Sequence, residues 1–243
     1  MNVLAIGNSF SEDATRYLHK IAKASGVKLT VVNLYIGGCP LDKHYRNMLA
    51  DNKDYALTFN GENTGFKVSI KEALLSRDWD AVTLQQASHL STKQQTYRPY
   101  ASELVAYIRK CAPNAKIYVH QTWAYEDGSE RLTKLMGYQT SGEMLADIKL
   151  AYQAMYEENE LDGIIPSGEM LLTLSKSIGA PVHRDTFHAS FGIGRYALGL
   201  LWFRALCEKS VADNSFCEFD EPICEEYVSK CKECVDTINI LRK

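Results

Sequence analysis

The alternation of short β-branched runs with segments of helical period constrains this chain more than any other feature. Residues 3–6, 29–34, 81–84, 117–119 and 163–165 read as strands, each closing on small or polar residues. Between them Ala14, Tyr17, Leu18, Ile21 and Ala22 recur at helical spacing, with Gly26 as a stop. Leu104, Ile108 and Cys111 mark another helix, and Met144, Ile148, Ala151, Tyr152 and Met155 the next. Met170, Leu171 and Leu174 mark a short one closed by Gly179. Residues 191–207 are apolar nearly all round, which predicts a buried helix. Strands that alternate with helices imply βαβ units and a parallel sheet covered on both faces. The expected fold is a three-layer α/β/α sandwich with a five-stranded parallel sheet. One segment departs from that rhythm. Tyr55, Leu57 and Phe59 alternate, residues 60–65 form a polar turn, and Phe66, Val68 and Ile70 alternate again, which predicts an inserted β-hairpin. No repeat or linker interrupts residues 1–243, read as a single domain.

Composition narrows the function classes. A net charge of −3, with Lys and Arg spread along the chain, argues against a nucleic-acid footprint. No run of about 18 apolar residues exists, so no membrane span is expected. The opening Met-Asn-Val-Leu-Ala-Ile-Gly reads as a strand rather than a signal peptide, and for the chain as given a cytoplasmic location is expected. Seven cysteines, an odd number, favour reduced thiols.

In open α/β sheets ligands bind at the carboxyl ends of the strands, so the residues that follow each strand carry the chemistry. Gly7-Asn8-Ser9-Phe10-Ser11 follows the first and Gly37-Gly38-Cys39 the second. Gln85-Gln86-Ala87-Ser88 follows the third and His120-Gln121-Thr122-Trp123 the fourth. Near the C-terminus lies His183-Arg184-Asp185-Thr186-Phe187-His188. The set suits acyl transfer. Ser9 sits where a strand turns into a helix, so its backbone N–H and the helix N-terminus favour a developing oxyanion. A serine hydroxyl needs a base, here His188, and Asp185 would hold that imidazole in the right tautomer. Gly37 and Gly38 allow a backbone N–H close to a reacting carbonyl. An amide from Gln85 or Gln86 would be a further oxyanion donor.

Each of these has a plainer reading. Ser9-x-x-Glu12 fits a capping box, so on spacing alone Ser9 is equally a helix cap. Gly37-Gly38 is by itself a turn, the glutamines are strand-end hydrogen bonders, and Asp-x-x-His is a weak pattern. Trp123 and Tyr125 are equally sugar-stacking aromatics or core. Cys231-x-x-Cys234 lies on the apolar seam formed with Tyr227, Ile238 and Leu241, so buried thiols account for it better than a redox or zinc site. The nucleophile reading rests on the conjunction of the polar sets and their order along the sheet.

That conjunction resembles the SGNH (GDSL-type) hydrolases. Gly7-Asn8-Ser9-Phe10-Ser11 is similar to their first block, Gly38 to the second-block glycine, and Asp185-x-x-His188 with Gly194 and a long apolar helix to the final block. The Ile-Gly-Gly-Cys and Leu-Gln-Gln-Ala-Ser segments look like a bacterial branch known as a domain of unknown function. The resemblance implies a flavodoxin-like fold, Ser9 as nucleophile, His188 as base, Asp185 as its orienter, and the Ser9 and Gly38 N–H groups as oxyanion donors. The family's third block is usually Gly-x-Asn-Asp, and this chain carries Leu84-Gln85-Gln86-Ala87-Ser88 in its place. Carbohydrate acetylesterase branches use a glutamine there, which favours Gln85, with Gln86 one residue away. Asn8 replaces the usual Asp.

The sequence therefore predicts an ester hydrolase that removes a small acyl group, preferably acetyl, from a carbohydrate or related small-molecule ester through acyl-Ser9. Trp123 is a candidate substrate contact. No cofactor is expected, since neither a Gly-x-Gly-x-x-Gly turn nor a Walker loop appears, and no metal, since no second Cys/His pair has zinc spacing and His183 and His188 lack a carboxylate set beyond Asp185. Two rivals differ in what they predict. A binding protein on a decayed hydrolase scaffold would hold Ser9 and His188 apart, and a thioesterase or lipase would carry a long apolar groove.

Overall fold

Four- to six-residue strands form at each of the five expected runs, and helices fill the stretches between them. The computed structural model describes residues 1–243. In chain order the elements are β1 (Asn2–Gly7), α1 (Ser9–Thr15), α2 (Leu18–Ala24), β2 (Thr30–Tyr35), α3 (Leu41–Ala50), β3 (Tyr55–Phe59), β4 (Glu62–Val68), α4 (Ile70–Leu75) and β5 (Ala81–Leu84). There follow α5 (Tyr100–Cys111), β6 (Lys116–Gln121), α6 (Ser141–Glu158), β7 (Gly163–Pro166), α7 (Ser167–Ile178), α8 (Ile193–Cys207), α9 (Glu225–Thr237) and β8 (Leu241–Arg242).

The strands make one sheet in the order β4-β3-β2-β1-β5-β6-β7-β8. The five central strands from β2 to β7 run parallel. The expectation of five strands is therefore corrected to eight. The hairpin β3–β4 does not stand apart from the sheet: β3 pairs antiparallel with β2, Leu34 opposite Leu57, and β4 pairs with β3. Alternation of side chains reports which face a strand buries, not which neighbour satisfies its N–H and C=O groups. The open edge of β2 supplies those partners. On the other side β8, only two residues long, pairs antiparallel with β7.

Burial explains why the central strands read as apolar runs. Every residue of β5 and β7 is buried, and so are all but the first residue of β1. Helix α8 packs against α1, α2, α7 and α9, whereas α5 packs against α3 and α4, so helices cover both faces. The all-round apolar α8 is buried along most of its length, as its composition requires. Three boundaries differ from the periodic reading. The first helix breaks into α1 and α2 at Arg16-Tyr17, where the Tyr17 hydroxyl donates to the Phe191 carbonyl at 2.6 Å. Ile70 begins α4 instead of ending β4, because Ser69 and Glu72 form a capping box there. The seam of α9 loses its last two members, Ile238 to an extended C-cap and Leu241 to β8. Cys231 and Cys234 lie buried in α9. No helix is long and apolar enough to cross a membrane.

Candidate active site

The carboxyl ends of β1, β2, β5 and β6 bring the polar sets together. Strand β1 ends at Gly7, and α1 starts at Ser9. A Cβ on Gly7 would lie 2.6 Å from the Ser11 Oγ and 2.9 Å from the Gln85 amide carbon, so only glycine lets β1 approach the end of β5 this closely. The helix cap is Asn8, not Ser9: its Oδ1 accepts from the Phe10 N–H at 3.0 Å. Ser9 is thus the first helical residue, with its hydroxyl free for other work.

That hydroxyl meets His188. Ser9 Oγ lies 2.8 Å from His188 Nε2, and His188 Nδ1 lies 2.7 Å from Asp185 Oδ2. With Nδ1–H donating to the carboxylate, Nε2 carries the lone pair that takes the serine proton. Asp185 Oδ1 also accepts the backbone N–H groups of His188 (2.8 Å) and Phe187 (3.4 Å). Partial burial pushes the Asp185 carboxyl up, but these bonds from His188 and Phe187 outweigh it and hold it below its ordinary range. The carboxylate therefore stays charged. The loop closes on itself through Arg184 N–H to His188 O (3.0 Å) and Ser190 N–H to Val182 O (2.8 Å). At its tip Thr186 takes a φ of +72°, a costly conformation for a β-branched residue.

Gly38, at φ +59°, lines the same cleft as Ser9 and His188, and its N–H has no acceptor in the chain. The N–H of Ser9, first in its helix, has no intrahelical acceptor. Two backbone donors without a protein acceptor thus belong to residues that line this cleft.

The glutamines do not join them. Gln85 is buried beneath the cleft floor: its Nε2 donates to Asn8 Oδ1 at 2.7 Å, and its Oε1 accepts from His120 Nδ1 at 2.8 Å. Asn8 Nδ2 in turn donates to the Cys39 carbonyl at 3.2 Å. Burial pushes His120 down to about 3, so it remains neutral. Gln86 is also buried. Its Oε1 accepts from the Leu41 and Ala87 N–H groups, and its Nε2 donates to Thr96. Both amides are spent inside, so the expected glutamine donor to the cleft is corrected to a pair of internal braces. Gln85 ties the end of β5 to Asn8, and Asn8 ties α1 to the turn after β2.

Trp123 is likewise a support, not a substrate contact. It is 1% exposed, stacks on Phe10 at 3.9 Å, and donates its indole N–H to the Phe187 carbonyl at 2.7 Å. It underpins both the first helical turn and the His188 loop. The Phe and Tyr rings that do line the cleft are Phe10, Tyr35, Tyr125 and Phe187, with the Tyr125 hydroxyl 2.9 Å from the Ser88 Oγ. The cleft holds about 360 Å³, toward the small end for ligand pockets.

One further group escaped the sequence reading. Asp13, with 0% exposure, accepts both oxygens' worth of bonds from Arg184 Nη1 (3.0 and 2.9 Å) and one from Arg195 Nε (2.8 Å). Arg195 and Arg16 both hold Asp220, whose carboxyl the Arg16 hydrogen bond brings down to about 2. Arg184 immediately precedes Asp185, so this clamp fastens the His188 loop to the helix that carries Ser9. A charge placed three residues after Phe10 and four before Tyr17, on the apolar seam of the first helix, was the available signal.

Comparison with known proteins bears on the family and the fold. Residues 2–228 match the model of the family described as Domain of unknown function (DUF4886). A DUF4886 family protein from Bacteroides uniformis is 33% identical, with 97% of this chain and 93% of that one covered and a TM-score of 0.88. More distant folds include a protein from Slackia heliotrinireducens described as an SGNH hydrolase (21% identity, 83% and 96% covered, TM-score 0.57). A variant of an acetyl xylan esterase from Geobacillus stearothermophilus also aligns (16% identity, 84% and 93% covered, TM-score 0.52). No curated protein matches. The chain belongs to the DUF4886 family, and its fold is that of the SGNH hydrolases.

Proposed function

We propose that this DUF4886 member is a serine ester hydrolase that works through an acyl-Ser9 intermediate and removes small acyl groups from a carbohydrate or related ester. The observation that carries the reading is the unbroken line from Ser9 Oγ through His188 to Asp185, at 2.8 and 2.7 Å, beside two unpaired backbone N–H groups. In the first half-reaction Ser9 Oγ attacks the ester carbonyl while His188 Nε2 takes its proton. The oxyanion forms against the Ser9 and Gly38 N–H groups. Collapse breaks the bond to the alcohol, which leaves with the proton from His188. Water then repeats the sequence, with His188 as base, and releases the acid and free Ser9.

Contact between Ser9 and His188 favours this reading over a binding protein on a decayed scaffold. A short, partly polar cleft favours small acyl groups over the long chains of a lipase or thioesterase. The acetyl xylan esterase fold is consistent with a carbohydrate ester, though at 16% identity it speaks to fold alone. The test is fluorophosphonate labelling together with p-nitrophenyl acetate hydrolysis. Wild type should label and turn over, and Ser9→Ala should lose labelling and at least about 10³-fold in kcat. Equal rates and no labelling in wild type would sink the assignment.

A further inference from the structure

Arg131 sits on the wall of the cleft, unpaired. Ten arginines occur in the chain, and seven of them form ion pairs. Arg109 donates to the carbonyls of Asn159 and Glu160. Arg77 rests on Phe59 and Trp79, on a surface away from the cleft. Arg131 alone combines a cleft position with five N–H donors that meet no protein acceptor. It is nevertheless held in place. Its Cζ lies 4.1 Å from the Phe187 ring centroid, and that ring lies 3.8 Å from the His188 imidazole. A guanidinium is planar, permanently charged and matched to two oxygens of one anion. No carboxylate lines the cleft to neutralise it.

Position also tells which half of a substrate it faces. His188 Nε2 must hand its proton to the departing alcohol oxygen, so groups beside the imidazole surround the alcohol moiety. The acyl oxygen turns instead to the backbone N–H groups proposed above for the oxyanion. Phe187 and, beyond it, Arg131 lie on the imidazole's side of the cleft.

We propose that Arg131 is a specificity-determining residue that binds an oxyanion on the alcohol half of the ester, so that the favoured substrates are acylated acidic alcohols, such as acylated sugar acids. This rests on the ester hydrolase reading above. The Arg131 guanidinium engages the anion's two oxygens while Phe187 holds its plane, and the neutral rest of the alcohol lies along Tyr125 and Leu135.

The experiment compares a matched pair of aryl acetates on the full chain: 3-acetoxybenzoate and its neutral counterpart 3-acetoxybenzamide. Wild type should prefer the acid by about ten- to fifty-fold in kcat/KM, the range of one charge-assisted, doubly bonded contact, and mainly through KM. Arg131→Ala should collapse that ratio toward one, Arg131→Lys should keep part of it, and Arg131→Glu should invert it. The preference should also shrink as salt is raised. Arms with 3-acetoxyphenyl sulfate and 3-acetoxyphenyl phosphate distinguish a carboxylate site from a general oxyanion site. Equal rates for acid and amide in wild type, or a ratio untouched in Arg131→Ala, would overturn the proposal while leaving the hydrolase standing. Failure of wild type on both esters, with no dependence on Ser9, would remove the hydrolase reading and this one with it.

Discussion

The two sides of the Ser9–His188 contact are held by opposite kinds of force. On the serine side every brace is neutral: Asn8, Gln85 and His120 form a buried relay of amides and an imidazole. On the histidine side one brace is neutral, the Trp123 indole on the Phe187 carbonyl, and the rest are ions: Arg184 and Arg195 on Asp13, and Arg195 with Arg16 on Asp220. A neutral relay costs little desolvation and keeps its geometry at any salt concentration. A buried ion pair tolerates removal of one partner poorly, because the remaining charge is stranded. The nucleophile therefore rests on a base insensitive to ionic strength, and the acid–base loop on one that fails abruptly when a charge is lost.

The sharpest way to break this contrast is Asp13→Asn, which keeps shape and removes charge. We expect a loss of about 1.5–3 kcal/mol in urea denaturation, the range for hydrogen bonds to a charged group, because the half-buried Arg184 loses its carboxylate while Arg195 keeps Asp220. In what folds, kcat on p-nitrophenyl acetate should fall at least about tenfold with KM little changed, since Arg184 positions His188 rather than substrate. An unchanged kcat would show that the loop holds itself.

The neutral side shows its character in acid. Burial pushes His120 down to about 3, and it does the same to His44, which lies outside that relay in α3 with its Nδ1 2.8 Å from the Tyr55 hydroxyl, whereas an unfolded histidine titrates near 6.5. The unfolded chain thus gains protons below pH 6.5 that the folded one refuses. Their neutral burial is fully tolerated above that pH, and stability drains as pH falls from 6.5 toward 3. Each histidine should contribute a loss of about 2 kcal/mol by pH 5. Denaturant midpoints at pH 7 and 5 measure it, and His120→Gln should remove one share of the slope.

The smallest effect belongs to Gln85→Leu. It deprives His120 Nδ1 of its acceptor and Asn8 of one donor, and should cost about 1–3 kcal/mol, with kcat lowered only several-fold because the Phe10 N–H and Cys39 carbonyl still hold Asn8. A loss of kcat as large as that of Ser9→Ala would instead restore a direct role for the amide.

How far the sequence was legible follows from what its letters encode. Ser9 and Gly38 are read from residue types after strands, Asp185 and His188 from an Asp-x-x-His loop between two helices, and topology assembles them. Gln85 and Gln86 misled because an amide aimed at a cleft and one spent on Asn8 or Thr96 are the same letter. Trp123 had two readings for the same reason, and only its stack on Phe10 separates them. Arg131 carries no periodic signal, and its significance is the absence of a counter-ion, which only three dimensions reveal. The hairpin's strands were readable but not their neighbour, and a two-residue β8 has no period to read.

The flanks of the sheet have a bearing on how this protein behaves in company. A parallel core rich in valine and isoleucine, if left open at its margins, would offer its backbone to any passing strand. Here neither margin is inviting. On one side β4 is mostly exposed, carries Glu62 and Lys67, is kinked by Gly65 at φ +76°, and pairs with β3 through a register shift. On the other, β8 covers β7 with a stub too short to template another chain. The antiparallel additions thus act as closures that discourage fibrous self-association.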